Sequence, residues 1–142
     1  MNEARRVDTL DVHGVSDASP FVQAAGLHIT TVSPTLVEGF IDLGPEHHTP
    51  WGMVHGGVYA TAVESAASIG ASAAVADRGQ IAVGLTNVTN FLRPKKAGRV
   101  HVRAKAIQQG RTQQVWDVEI ADEDGKLVAV GQLRLQNVDG PL

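Results

Sequence analysis

From about Gly57 to about Ala76 the chain carries no proline, one aromatic ring and a single charge, and most of its side chains are no larger than alanine or serine. This run predicts one long helix: at roughly 1.5 Å per residue it reaches about 30 Å, enough to cross a whole domain. Small side chains on nearly every face let neighbouring backbones pack close from several sides, so the rest of the fold is expected to enclose the helix. Its one charge is Glu64. An ionised carboxylate among apolar neighbours is costly unless it is paired or its pKa rises, which makes chemistry a reason to keep it. Thr61, Glu64, Ser65, Ser68 and Ser72 recur at spacings of three and four and form a narrow polar stripe, where a ligand is expected. Just upstream, His55-Gly56-Gly57 offers a helix start at which bare backbone N–H groups can approach an oxygen closely.

On either side of this helix the periodicity changes to two. Residues Leu27–Ser33 and Thr35–Leu43 alternate around the breaker Pro34, after a short helical turn over Phe21–Gly26. Beyond the helix, Ile81–Phe91, Val100–Ile107, Gln113–Ile120 and Leu127–Leu135 read as four more strands. Their connections, Arg93–Gly98, Gln109–Arg111 and Asp122–Gly125, carry turn residues that suit antiparallel neighbours. Two strands, a helix and four strands make an α+β domain in which one antiparallel sheet wraps one helix. The 142 residues, 43% of them hydrophobic, suffice for one ordinary core. Residues 1–18, polar and without periodicity, are expected to be a flexible N-terminal arm, and 19–142 a single domain.

Composition excludes several function classes. A net charge of −3 supplies no global attraction for nucleic acid or an anionic membrane surface. With no cysteine, there is no disulfide framework, thiolate nucleophile or cysteine-ligated metal, which favours the cytoplasm. The N-terminus has neither the apolar run of a signal peptide nor the acid-poor composition of a transit peptide. Residues Val54–Ala76 are long enough to span a bilayer, but the central Glu64 argues against it. His28, His47, His48 and His101 have no partner spacing that suggests a metal site.

The run Gly52-Met53-Val54-His55-Gly56-Gly57, followed by Glu64 and Ser68, then Asn90-Phe91-Leu92-Arg93-Pro94 and Gly110-Arg111, resembles the hotdog-fold acyl-CoA thioesterases of the phenylacetate and 4-hydroxybenzoyl-CoA type. The similarity spans about Leu27 to Leu135, and Glu at the acid position is similar to one 4-hydroxybenzoyl-CoA branch. The resemblance implies a hotdog fold, one long central helix wrapped by a six-stranded antiparallel sheet, and hydrolysis of an acyl-CoA thioester without a metal or other cofactor. It implies that Glu64 is the nucleophile or the general base for water and that the Gly56 amide polarises the thioester oxygen. His55 would support the loop, and Ser68 would hold the attacking water or carboxylate. It further implies a site shared between the subunits of a homodimer, in a dimer of dimers. One position departs from the pattern: six residues before His55, where the family often has Asn or Gln, stands Thr49, and His48 is the candidate to replace the carboxamide.

Plainer readings stand beside these. Glu64 can pair structurally with a partner such as Arg93, His55 can be only a helix cap, and Ser68 can bond back to the preceding turn. Arg93, Lys95, Lys96 and Arg111 can be a solvated face; in a thioesterase they would meet the phosphates of coenzyme A, with Asn90 beside them. The pocket is expected to be lined by Val54, Tyr59, Val63 and Phe91. The competing functions are a non-catalytic acyl-CoA binding module and, less well matched, an enoyl-CoA hydratase, in which the acid would precede a histidine ahead of the helix rather than follow one by nine residues.

Overall fold

Pro20 and Gly26 bracket the first helix, α1 (Pro20–Ala25). Proline fits the first helical turn, where its missing N–H is no loss, and Gly26, at φ 77°, takes the left-handed conformation that ends the helix while its N–H donates to the Val22 and Gln23 carbonyls. The computed structural model describes residues 19–140 and the backbone of three two-residue strands, Arg5–Arg6, Asp11–Val12 and Val15–Ser16. The arm expected over 1–18 otherwise lies outside the described residues.

After α1 come β1 (Leu27–Val32) and β2 (Leu36–Leu43), the long helix α2 (Gly56–Val75), and β3 (Gln80–Phe91), β4 (Gly98–Gln109), β5 (Gln113–Asp122) and β6 (Leu127–Asp139). The alternation read from the sequence sets the faces. On β2, Val37, Ile41 and Leu43 are buried and Asp42 is exposed; on β4, Val100, Val102 and Ala104 are buried while Arg99, His101, Arg103 and Lys105 face water. The six strands form one antiparallel sheet in the order β1-β2-β4-β5-β6-β3, with Arg5–Arg6 added beside β1. This is the hotdog architecture.

One connection differs from expectation. The turn at 93–97 does not join neighbours: β3 pairs with β6, whereas β4 lies between β2 and β5. Proline and glycine signal that a chain turns, not which strand it pairs with next. Among the described residues β3 therefore has one unpaired edge, and Leu85, Val88, Phe91 and Leu92 are exposed along it.

The inner face of the sheet receives α2. A Cβ at Gly70 would strike the Trp116 ring and come within 2.8 Å of Val37, so glycine lets the helix settle onto the fully buried indole. Beside it lies a polar knot. Gln114, 1% exposed, donates from Nε2 to the Ala71 carbonyl (2.9 Å) and Asn137 Oδ1 (2.8 Å), and its Oε1 accepts from Trp116 Nε1 (3.0 Å) and Gln109 Nε2 (3.1 Å). Asn137 Nδ2 in turn donates to the Gly110 and Arg111 carbonyls. No helix among the described residues is long and apolar enough to cross a membrane.

The polar stripe of α2 does not stay together. Ser72 is buried and exchanges hydrogen bonds with the Ala82 backbone on β3, and the Thr61 hydroxyl donates back to the Gly57 carbonyl at 2.7 Å. Glu64 is exposed in the single chain rather than enclosed, so it does not bear the burial cost expected from its apolar neighbours in sequence. The sheet covers one side of α2 and leaves the side bearing Glu64 open.

Candidate active site

The segment before α2 is a small hydrogen-bonded ribbon. Pro45–His47 forms a 3-10 turn, buried His47 accepts the Gly44 N–H on Nδ1, and its carbonyl accepts the His55 N–H at 2.8 Å. The Thr49 N–H donates to the Met53 carbonyl and the Thr49 hydroxyl accepts the Trp51 N–H, closing a tight turn that leaves Trp51 84% exposed. Two bonds tie this ribbon to the β3–β4 connection: Val54 N–H to the Lys95 carbonyl at 2.9 Å, and His48 Nε2 to the Lys96 carbonyl at 2.7 Å. Thr49 and His48, both expected near the reacting atoms, thus have places in the loop scaffold.

His55 arrives as the N-cap of α2. Its Nδ1 accepts the Gly57 N–H at 2.8 Å and its carbonyl accepts the Val58 N–H at 3.0 Å, which leaves the Gly56 N–H as the helix-start amide that neither group takes. A Cβ on Gly56 would lie 2.7 Å from the tip of the Phe91 ring, so glycine is what allows the ring to cover this position. Taken by no described residue, this amide adds to the partial positive charge of the helix start and suits a developing oxyanion.

Beside Gly56 opens a cavity of about 320 Å³ lined by Met53, Val54, Tyr59, Phe91 and Leu92 on its apolar side and by Arg93 and Lys95 at its basic side. Val63, expected in this lining, is instead fully buried in the core. Tyr59 is 3% exposed, its hydroxyl has no hydrogen-bond partner among the described residues, and burial pushes the phenol up to about 12. Lys95 Nζ stands 3.9 Å from Asp122. The Asp122 carboxyl is held below its ordinary value by the Lys126 N–H first, then by the Asp124 N–H and the charges of Lys95 and Lys126.

Two turns further along α2, Glu64 Oε1 receives the Asn87 Nδ2 at 3.4 Å, and Oε2 lies 3.2 Å from where a Cβ on Gly84 would be. Asn87 also donates to the Ala60 carbonyl at 3.0 Å and accepts the Thr89 hydroxyl at 2.7 Å. Asn87 is the site residue missed in sequence, and the reason is a β-bulge. The β3–β6 register shifts between Gly84 and Thr86, so the residues facing α2 change from Ala82 and Gly84 to Asn87, Thr89 and Phe91. Asn90, expected to meet coenzyme A, is placed on the opposite face by the same shift. The available signal was an Asn within a Val/Thr-rich strand, a residue type depleted there.

Eight residues of helix separate Gly56 from Glu64, a rise of about 12 Å, so one chain cannot bring this amide and this carboxylate to the same carbonyl. Half-buried Ser68 follows Glu64 by one turn. Arg93 and Lys95 border the Gly56 cavity, but Arg111 sits in the β4–β5 turn at the other end of the sheet. A larger hollow of about 670 Å³ lies on the outer face, lined by Glu38, Phe40, Arg99, His101 and others. There the Arg99 guanidinium lies over Phe40 and bonds both Asp42 oxygens, holding that carboxyl below the usual range.

Residues 52–129 match the family model described as the thioesterase superfamily. The chain belongs to the thioesterase superfamily. It is a thioester hydrolase of the hotdog fold. A 1,4-dihydroxy-2-naphthoyl-CoA hydrolase from Listeria monocytogenes is 34% identical to this thioesterase over 110 residues, covering 78% of this chain and 89% of the relative. A Mycobacterium tuberculosis protein that carries a provisional esterase name is 38% identical; its structure superposes with a TM-score of 0.82, covering 87% of this thioesterase and 99% of that chain. A Haemophilus influenzae thioesterase of 31% identity superposes with a TM-score of 0.80, covering 87% of this chain and 85% of the other.

Proposed function

We propose that this thioesterase hydrolyses acyl-CoA, with the Gly56 amide of one chain and Glu64 of a second forming each site. The observation that carries the reading is the separation of a helix-start amide, untaken among the described residues, and an open carboxylate by about 12 Å of one rigid helix. The thioester carbonyl rests on the Gly56 N–H, where negative charge grows as the carbonyl is attacked. Glu64 either adds to the carbonyl carbon, giving an anhydride that water then cleaves, or takes a proton from the attacking water. In both routes the carbon–sulfur bond breaks, coenzyme A leaves as the thiol and the acid is released. The residues needed are a carboxylate, an amide and the Ser68 hydroxyl as a hold on the nucleophile, so the reaction calls for no metal or further cofactor.

Three observations support the assembly and substrate. The unpaired edge of β3, with its exposed Leu85, Val88, Phe91 and Leu92, is an apolar strand suited to a second copy of this chain, and a further pairing of dimers is in keeping with this. Arg93 and Lys95 at the cavity rim, with Lys96 beside them, suit the phosphates of coenzyme A. The Listeria relative is named for an aryl-CoA substrate, and the apolar cavity lining suits an aryl or medium-chain acyl group. The cytoplasm is the compartment that a coenzyme A thioester substrate implies.

Subunit mixing tests the reading. Glu64→Ala is expected to fold and to lose at least about a hundredfold in free-thiol release from a panel of aryl- and alkyl-CoA esters. Gly56→Val, which pushes Phe91 over the amide, is expected to be equally inactive. Chains of the two variants unfolded and reassembled together should regain about a quarter of wild-type activity, because half the dimers then carry one intact site of two. Wild-type turnover by Glu64→Ala overturns the role of Glu64, and inactive mixed dimers overturn the shared site.

A further inference from the structure

The carboxylate of Glu64 stands on an open helix face, where an unbranched side chain with three rotatable bonds would normally sample several rotamers. Here two features of β3 narrow the choice. The Asn87 amide orientation is decided by the Ala60 carbonyl: a carbonyl only accepts, so the atom 3.0 Å from it is the NH₂ group, and the Oδ1 must face Thr89, whose hydroxyl donates at 2.7 Å. With both ends engaged, the second N–H of the amide is directed at Glu64 Oε1, 3.4 Å away. On the other side, Gly84 presents no side chain to Oε2, leaving room for the carboxylate that a Cβ 3.2 Å from it would crowd. Both features come from the bulge between Gly84 and Thr86, which changes the face of β3 that meets α2 midway along the strand. Without it, Thr86, Val88 and Asn90 would turn toward the helix, and Glu64 would face a β-branched side chain instead of an amide donor.

We propose that Asn87, braced by Thr89 and brought against α2 by the β3 bulge, is a positioning residue that holds the Glu64 carboxylate in its reactive rotamer. This rests on the reading of Glu64 given above. Asn87 touches neither the Gly56 amide nor the cavity lining, so its effect belongs to turnover rather than to substrate affinity.

The test is kcat and KM of free-thiol release for Asn87→Ala, Asn87→Asp, Thr89→Val and Glu64→Gln, each checked for native circular dichroism and dimer content. Asn87→Ala is expected to lower kcat about three- to tenfold with KM little changed. Asn87→Asp keeps the shape but turns an oxygen toward both Glu64 and the Ala60 carbonyl, so its kcat should fall further. Thr89→Val leaves the Ala60 anchor and should give a smaller change of the same kind, which reads the proposal even if an Asn87 variant fails to fold. An Asn87→Ala or Thr89→Val kcat equal to wild type, or a fall confined to KM, in an enzyme that Glu64→Gln inactivates, overturns the positioning role alone. Full turnover by Glu64→Gln overturns the Glu64 reading and this one with it.

Discussion

The two ends of α2 handle polar atoms in opposite ways. Near Ala71, Gln114 has a partner for both donors and accepts twice on its oxygen, while Trp116 and Asn137 complete the same network. Near Gly56, among the described residues, one amide is left untaken at the helix start, the Tyr59 hydroxyl has no partner, and Phe91 and Leu92 face water. Buried groups are ordinarily paired because an unmade hydrogen bond costs more than a made one returns. The first end follows that rule and fastens helix to sheet. The second departs from it where a substrate and a second chain would supply the missing contacts.

The strongest way to break the contrast is Gln114→Ala. Removing the hub leaves the Ala71 carbonyl, Trp116 Nε1 and Asn137 Oδ1 short of partners, and the expected loss is about 3 kcal/mol of stability with turnover per folded molecule unchanged. Urea unfolding monitored with activity assays checks this, and a large fall in kcat with little change in midpoint would reverse the roles of the two ends. A smaller effect is expected at the open end. Arg93→Ala, or Lys95→Ala with Lys96→Ala, should raise KM for a full acyl-CoA about tenfold, leave an acyl-pantetheine lacking the nucleotide nearly unaffected, and lose its effect at high salt. Equal effects on both substrates would move these residues from phosphate binding to support of the fold.

The smallest change is Tyr59→Phe, which removes a buried oxygen with no partner among the described residues and should be neutral or stabilising by up to about 1 kcal/mol at neutral pH. Its size depends on pH. With the phenol raised from 10.0 to about 12 on folding, the native state keeps a proton that the unfolded chain has lost, so stability is full below about pH 10 and falls as pH rises toward 12. Tyr59→Phe should flatten that fall in denaturant midpoints measured across the window. A Phe variant markedly less stable at pH 7 would mean the hydroxyl has a partner after all.

Much of this was legible in the chain. The strand faces followed from residues such as Val37, Ile41 and Leu43 alternating with Glu38, Phe40 and Asp42, because a period of two survives any tertiary context in which one face is buried. The helix, its start at His55-Gly56-Gly57 and the isolation of Glu64 were equally visible. What sequence could not show depends on counting across a defect or on contacts far apart in the chain. A single extra residue at the β3 bulge reverses which side chains face the helix, so Asn90, singled out by the family-like Asn90–Pro94 run, turns away from α2 while Asn87 turns toward it. Glu64 looked enclosed because its sequence neighbours are apolar, yet exposure is decided by the sheet, which meets this side chain only along β3 and leaves it exposed. Arg111 and Arg93 looked like one basic set because both lie in turns, and the length of β4 separates them.

The tight turn at Thr49–Met53 has an optical consequence. The protein has two tryptophans, and the fold puts them in contrasting surroundings: Trp116 fully buried in the core and Trp51 on this turn, 84% exposed. Emission from the first belongs to the blue end of the indole range and is shielded from iodide, whereas emission from the second is red-shifted and open to quenching. Since the turn is bonded through Thr49 to the ribbon that delivers Gly56, its fluorophore belongs to the open end of the helix while the other stands in the foundation. Selective quenching thus separates, within one unlabelled molecule, events at the mouth of the cavity from melting of the domain.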